Sequence, residues 1–247
     1  MQISANQALL MWLPTETVTP RQWPKLVRML DDVERSRADQ FRFARDRDAY
    51  IASHALTRGT LARLTGRPPS SWTFETDSHG KPEIVCCPGT PRIRINSTHT
   101  HGLAAVALIL NHNIGCDAEC MLSDTPLSIA NRYFAPAECA ELNAMHGSAA
   151  RDRFYALWTL KEAYLKAVGR GLSLGLDAAV FRFDPLAVTF PARVGDRPEA
   201  WYFGRYSLNS EHVVALAVRH PTPGSLAVAA DAVDPGQLIA AAGDWRS

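Results

Sequence analysis

The sequence predicts an α+β protein built as two similar halves in one chain, a pseudo-dimer with helices packed on an antiparallel sheet in each half. Two observations carry this. Helix-period segments at 21–43 and 46–65 recur in kind at 127–133, 136–145 and 151–168, with short strand segments around both sets. The apolar run HGLAAVALIL (101–110) also resembles HVVALAVRH (212–220), a faint internal duplication. No low-complexity linker separates the halves, and turn residues at 111–113 place the boundary so that 1–112 forms the first half and 113–247 the second.

Residues 7–13 read as the opening strand. A helix is expected over 21–43, with Thr19 as N-cap, Pro20 in its first turn and Pro24 tolerable only near its start. A second helix over 46–65 is stopped by Gly66 and Pro68-Pro69. Short strands come next at 71–76, 83–87 and 92–96, and a hairpin over 103–120 closes the half, with Asn111-His112-Asn113 as its turn. In the second half the helix at 151–168 ends at Gly169 and Gly171. Strands are expected at 178–184, 186–190, 200–207 and 211–219, then a short terminal helix within 233–247.

With 247 residues the chain can bury one large core or two small ones, and its formal net charge of +1 gives no global field for nucleic acid or an anionic membrane. No apolar run approaches a membrane span, and the N-terminus lacks a basic region followed by an apolar stretch. A cytoplasmic enzyme is the expectation. The five cysteines, Cys86, Cys87, Cys116, Cys120 and Cys139, are odd in number and contain no C-x-x-C pair, which argues against a disulfide framework or a zinc knuckle. Cys86-Cys87 reads as a pair of small hydrophobes at a strand end.

The chemistry concentrates in Trp158-Thr159-Leu160-Lys161-Glu162-Ala163-Tyr164-Leu165-Lys166. As a helix this run places Trp158, Glu162 and Lys166 on one wall, at i, i+4 and i+8, with Leu157, Leu160, Tyr164 and Val168 on the far side. An acid and an ammonium on one wall can serve a metal and a phosphate together, or form a plain surface ion pair. Upstream, Ile114-Gly115-Cys116-Asp117-Ala118-Glu119-Cys120 alternates as a strand, with Asp117 and Glu119 on one face and the small apolar residues on the other. Taken alone, such a D-x-E reads as a solvated acidic strand end; if the two like charges are close they call for a cation, and Mg2+ meets that need through oxygen ligands while keeping positions for substrate phosphates.

Four blocks in order resemble the 4'-phosphopantetheinyl transferases of the surfactin-synthetase-activating type. They are Gly80-Lys81-Pro82, Asn96-Ser97-Thr98-His99-Thr100, Gly115-Cys116-Asp117-Ala118-Glu119 and Trp158 to Lys166, the last meeting the family pattern W-x-x-K-E-[AS]-x-x-K in full. Arg132-Tyr133-Phe134-Ala135-Pro136-Ala137-Glu138 and Gly169-Arg170-Gly171-Leu172-Ser173 resemble two further family segments. The resemblance spans roughly residues 35–185 and implies transfer of the phosphopantetheine arm of coenzyme A to a serine of an acyl or peptidyl carrier protein, releasing 3',5'-ADP. A coenzyme A-binding or carrier-binding module without chemistry and a metal-dependent pyrophosphate hydrolase are the other classes such residues could serve.

The resemblance also implies residue roles. Asp117, Glu119 and Glu162 would hold Mg2+, and Lys166 a phosphate oxygen as a point charge. Lys161 would reach the phosphates too, although its side leans away from Glu162. His99, with Thr98 before it, would contact the 3'-phosphate or the pyrophosphate. Lys81, held extended by Pro82, would sit at the 3'-phosphate or the adenine edge, and Arg37 near the 3'-phosphate. Either Glu138 or Glu162 would take the serine proton. The chain departs from the family at Ser97, where an apolar residue is usual, at Thr98 and Thr100, which replace serines, and at Ala118, which replaces Ile or Val. The loop 120–135, with Met121, Leu122, Ile129, Arg132 and Tyr133, fits a docking surface for an acidic carrier or, equally, a piece of core. A fused two-half chain points to a monomer.

Overall fold

Eleven strands and seven α-helices are present in the computed structural model, which describes residues 3–77, 80–85, 91–121 and 127–243. Cys86, Cys87 and Leu122 lie outside the described residues. Two units separate: residues 1–77, 82–111 and 227–247 form one, residues 78–81 and 112–226 the other.

In the first unit, β1 (Gln7–Pro14) lies beside β5 (Leu103–Leu110), which pairs on its other side with β4 (Ile93–Thr100). β2 (Phe74–Thr76) and β3 (Pro82–Ile84) form a separate small ladder. Alternation sends Leu9, Met11, Leu13, Ile95, Ala104, Val106 and Leu108 to one side, where they share a core with Ile51, Ala52, Ala55, Leu56 and Leu61 of α3 (Ala44–Thr65). The single helix expected over 21–43 is two: α1 (Trp23–Val27) and α2 (Asp32–Ala38). The break is a capping box. The Asp31 carboxylate accepts from the Glu34 amide at 2.8 Å and the Glu34 carboxylate from the Asp31 amide at 3.1 Å, which starts a new helix inside what reads as one run of alternating charge.

That box is bolted to α3 by Arg58, which is fully buried. Its guanidinium donates to Glu34 at 2.7 Å, to the carbonyls of Pro69 and Trp72 at 2.9 and 3.0 Å, and to Asp31. The His54 ring stands 2.9 Å from the same Glu34 carboxylate. Burial pushes the Glu34 carboxyl up, but the hydrogen bonds and charges of His54 and Arg58 outweigh it and hold its pKa at about 2.

The last strand, β11 (Ala227–Ala232), pairs in parallel with β1, and α7 (Pro235–Ala242) packs Leu238 into the same core. Residues 227–247 therefore belong to the first unit, where the sequence reading keeps them in the second half. AVAADA carries one β-branched residue and gives no strand signal, so its place comes from pairing with an apolar neighbour.

The second unit has a sheet in the order β6-β10-β9, all antiparallel, from β6 (Ile114–Cys120), β9 (Trp201–Ser207) and β10 (His212–Arg219). α4 (Leu127–Tyr133), α5 (Pro136–Asn143) and α6 (Gly147–Val168) precede a short ladder of β7 (Val180–Arg182) and β8 (Ala187–Thr189). The hairpin expected over 103–120 does not form. β5 pairs with β1 and β4, β6 pairs with β10, and the tight hairpin is β4–β5, with Thr100 opposite Leu103. The two resembling runs are the central strands β5 and β10 of their own sheets. Each sheet carries a helix of 22 residues, α3 or α6, ended by a left-handed glycine, Gly66 or Gly169. The duplication is thus one of architecture.

Inside the second unit, Lys161 of α6 meets Glu138 of α5 at 2.7 Å with both side chains at 1% exposure or less. The ammonium also donates to the carbonyls of Leu176 and Ala179 at 2.9 and 2.6 Å. The carboxylate accepts the amides of Phe181 at 2.8 Å and Ala135 at 3.0 Å. Phe134 and Phe181 flank the ammonium. Burial lowers the Lys161 pKa despite the opposing pull of Glu138. The pair joins α5, α6 and the approach to β7.

Both networks can be tested by substitution. Removing one partner of a satisfied buried pair costs about 3–5 kcal/mol, so Glu138→Ala should lose stability on that scale in urea unfolding, and a loss below about 1 kcal/mol, the level of an exposed pair, would contradict the pairing. Glu34 titrates near its ordinary 4.5 when unfolded and at about 2 when folded, so its stabilisation is complete above the higher value and fades as pH falls toward the lower one. The stability difference between wild type and Glu34→Gln should therefore shrink from about pH 6 to about pH 2; a gap that is flat with pH would show that the charge is not what matters.

Candidate active site

β6 is placed against α6 by its smallest residue. A Cβ at Gly115 would stand inside the Ala163 carbonyl oxygen and the Ala167 amide nitrogen, so strand and helix meet backbone to backbone there. Strand register then decides which side chains face the helix. Gly115, Asp117 and Glu119 lie opposite Ala217, Ala215 and Val213, the β10 residues that pack in the core with Leu157, Leu160, Ala163 and Tyr164 of α6. The two acids thus share the α6 side of the sheet, while Ile114, Cys116, Ala118 and Cys120 are buried on the other. Ala118 and the three residues beside it on that face are all buried, so the smaller residue at this position keeps its place in the strand.

On α6, Trp158, Glu162 and Lys166 are half-buried along one wall, and Leu157, Leu160 and Tyr164 are buried on the other side. Lys166 reaches across to Asp117, with its ammonium 2.6 Å from the carboxylate. Burial alone would lower the Lys166 pKa, but Asp117 raises it. The Glu119 carboxyl is pushed up to about 7, first by burial and then by Asp117 and Glu162, against Lys166 and a hydrogen bond donated by the Trp158 indole. The Glu162 carboxyl is raised by burial and by Asp117, with Lys166 opposing. Three acids from two elements therefore feel one another through poorly solvated surroundings.

Such a set fits a hard divalent cation in its chemistry: all-oxygen donors, excess negative charge and partial access to solvent. As the side chains stand, no three His, Cys, Asp or Glu donors among the described residues are gathered closely enough to hold an ion. Asp117 leans on the Lys166 ammonium instead, which neutralises part of the cluster.

The other residues singled out in the sequence do not all join this group. Lys161 and Glu138 neutralise each other in the interior, with every partner supplied by protein. The expectations that Lys161 reaches phosphates and that Glu138 takes a proton are corrected accordingly: neither side chain has an exposed face. Lys81 is buried as well, and its ammonium donates to the carbonyls of Ile114 and Ala167 at 3.2 and 3.1 Å, which corrects its reading as a nucleotide ligand. Pro82 is exposed at the start of β3. Thr98 is buried and His99 exposed, and as neighbours on β4 they point to opposite faces. Ser97 is half-buried opposite Val106. Arg37 is exposed on α2, where it donates to Gln40 at 3.0 Å and lies over the Phe41 ring. Of the residues expected either to dock a carrier or to belong to the core, Arg132 of α4 lies over the exposed Tyr133 ring, while Met121 and Ile129 are half-buried. Two contributions escaped sequence reasoning, the Trp158 hydrogen bond and the Gly115 contact. The first links α6 to Glu119 of β6 and has no signal in the spacing along the helix, and the only signal of the second is the glycine before the acids.

Comparison with known proteins bears on the family. A family model described as the 4'-phosphopantetheinyl transferase superfamily matches residues 113–217, and one described as 4'-phosphopantetheinyl transferase, N-terminal, matches residues 11–110. The chain is 30% identical over 191 residues to a 4'-phosphopantetheinyl transferase of Bacillus subtilis, covering 76% of this chain and 81% of the relative. It is 28% identical over 191 residues to 4'-phosphopantetheinyl transferase Sfp of Bacillus subtilis strain 168, with the same coverage of 76% and 81%. A third relative, the L-aminoadipate-semialdehyde dehydrogenase-phosphopantetheinyl transferase of Xenopus laevis, is 28% identical over 225 residues, 84% of this chain and 72% of its own length. The four sequence blocks, the two-unit architecture and these matches agree: the chain belongs to the 4'-phosphopantetheinyl transferase superfamily, in its surfactin-synthetase-activating type.

Proposed function

We propose that this protein transfers the 4'-phosphopantetheine arm of coenzyme A to a serine of an apo acyl or peptidyl carrier protein, as a Mg2+-dependent holo-carrier-protein synthase. The observation that carries the reading is the set of buried Asp117 and half-buried Glu119 and Glu162 with Lys166 beside them, in a chain of this superfamily. The serine Oγ attacks the β-phosphorus of coenzyme A, and a new oxygen–phosphorus bond forms. The bond from that phosphorus to the bridging oxygen breaks, and 3',5'-ADP leaves with the electron pair. Mg2+, held by Asp117, Glu119 and Glu162, would offset the charge that gathers on the leaving phosphate.

The protein's own groups divide the remaining work. Lys166, whose ammonium rests on Asp117, would hold a phosphate oxygen as a point charge. The Trp158 indole opposes the rise of the Glu119 carboxyl pKa, and its ring is stacked on Phe154. Of the two carboxylates that the sequence offers for the serine proton, Glu162 is the one with access to solvent. Thr98, His99 and Arg37 are kept as contacts for the phosphates of coenzyme A on the strength of the resemblance. Among the described residues no helix is long and apolar enough to cross a membrane. The two-unit chain, with both family segments in one polypeptide, supports action as a monomer, and the cytoplasm is the location proposed for it.

Asp117→Ala and Glu162→Ala should each lower transfer by about 100- to 1,000-fold, the range for losing one group that stabilises developing charge, with the circular dichroism spectrum kept. Coenzyme A, Mg2+ and a panel of apo-carrier domains, read by intact-protein mass, measure this directly. Wild-type rates from either variant would remove the role given to the acids. A strong chelator should stop the mass gain of about 340 Da on the carrier, the increment of one phosphopantetheine arm, and added Mg2+ should restore it; full transfer in metal-free buffer would refute the cation requirement.

A further inference from the structure

Lys81 stands in the Gly80-Lys81-Pro82 block, yet its side chain is turned into the second unit. The residue is 7% exposed, and its ammonium donates to the carbonyls of Ile114, at 3.2 Å, and Ala167, at 3.1 Å. Ile114 is the first residue of β6, and Ala167 lies in the last turn of α6. The last four carbonyls of a helix have no partner inside it and carry the negative end of its dipole, so a cation there is doubly favoured. Gly115, the next residue of β6, is where strand and helix touch backbone to backbone. One ammonium thus fastens the strand to the helix beside their closest approach.

We propose that Lys81 is a positioning residue for the metal-binding acids: it fixes the register in which Asp117 of β6 faces Glu162 and Lys166 of α6. The inference rests on the Mg2+ reading above. Asp117 lies three residues beyond the clamped Ile114, and Lys166 immediately precedes the clamped Ala167. A slide of the helix by one residue is about 1.5 Å, enough to break both hydrogen bonds of the clamp and to move Lys166 and Glu162 off Asp117. Gly115 permits the close contact but does not fix its register, since backbone in van der Waals contact can slip. The ammonium supplies the directional bonds that resist slipping, and with two N–H groups committed to backbone it is poorly placed to hold a nucleotide phosphate.

The test uses the full chain with Lys81→Met, which keeps the apolar stem, and Lys81→Arg, which keeps donors. In the metal-free protein, amide hydrogen exchange over 114–118 and 163–168 should quicken in Lys81→Met. Mn2+ binding, read by electron paramagnetic resonance, should weaken by about 10- to 100-fold, the usual cost of losing a residue that orients a metal ligand. In turnover, the Mg2+ concentration for half-maximal rate should rise while KM for coenzyme A stays at its wild-type value, and Lys81→Arg should recover part of the metal affinity. A raised KM for coenzyme A with unchanged metal requirement would make Lys81 a nucleotide ligand and overturn the proposal, as would unchanged exchange and Mn2+ binding. Should Lys81→Met not fold, Lys81→Gln, whose shorter side chain cannot reach both the Ile114 and Ala167 carbonyls, carries the same comparison, and a Gln variant with wild-type Mn2+ binding and exchange overturns the proposal. A wild-type protein that binds no Mn2+ overturns the Mg2+ reading and this proposal with it, whereas metal-dependent wild type beside an indifferent variant overturns this proposal alone.

Discussion

The candidate site depends on one close contact, the meeting of β6 and α6 at Gly115. The spacing between packed elements is ordinarily set by side chains, about 8–10 Å between helix axes. Removing the side chain at one strand position brings the helix backbone down onto the strand. Only then can Asp117, two residues on and on the same face, reach Lys166 at 2.6 Å. A larger residue at 115 would lift α6 away, and the acids of the strand would lose the acid and the ammonium of the helix.

Closeness creates the electrostatic problem that makes the site useful. Asp117, Glu119 and Glu162 are partly withdrawn from water and repel one another, which raises the Glu119 and Glu162 carboxyl pKa values. One ammonium, Lys166, offsets only part of that charge. The fold tolerates an incompletely neutralised cluster and holds it in place with satisfied interior networks. Lys161 with Glu138 ties α6 to α5 and β7, and Lys81 ties it to β6. Neither network is built from the three acids or Lys166, and both tie down the helix that carries Glu162 and Lys166.

Much of this was legible in the sequence, for physical reasons that differ by element. The two 22-residue helices announced themselves through long runs with glycine stops, and the central strands through apolar runs between turn residues. The pairing of β5 with β6 was misread because sequence adjacency favours a hairpin, while Asn111-His112-Asn113 instead carries the chain from one sheet to another. The parallel partner of β1 was invisible, since AVAADA has little strand propensity and Gln7 finds its partner as far along the chain as Ala227. The split of the first helix was hidden because the Asp31–Glu34 capping box sits inside a charge-rich segment where every residue resembles a solvated face.

The lysines show why the site was read less well than the fold. Lys81, Lys161 and Lys166 all fall in ordered blocks and look alike as cations near acids. Position on the helix separates two of them: Lys161 precedes Glu162 by one residue, about 100° around the axis, which turns it from the half-buried wall into the interior. There a charge survives only if every N–H finds an acceptor, and Glu138, Leu176 and Ala179 provide them. Lys166, four residues beyond Glu162, stays on the wall and keeps contact with both Asp117 and solvent. The block W-x-x-K-E-A-x-x-K is therefore composite. One lysine neutralises the buried carboxylate of Glu138 and the other stands on Asp117 beside the half-buried Glu119 and Glu162, and spacing on the helix distinguishes the two places where residue type cannot.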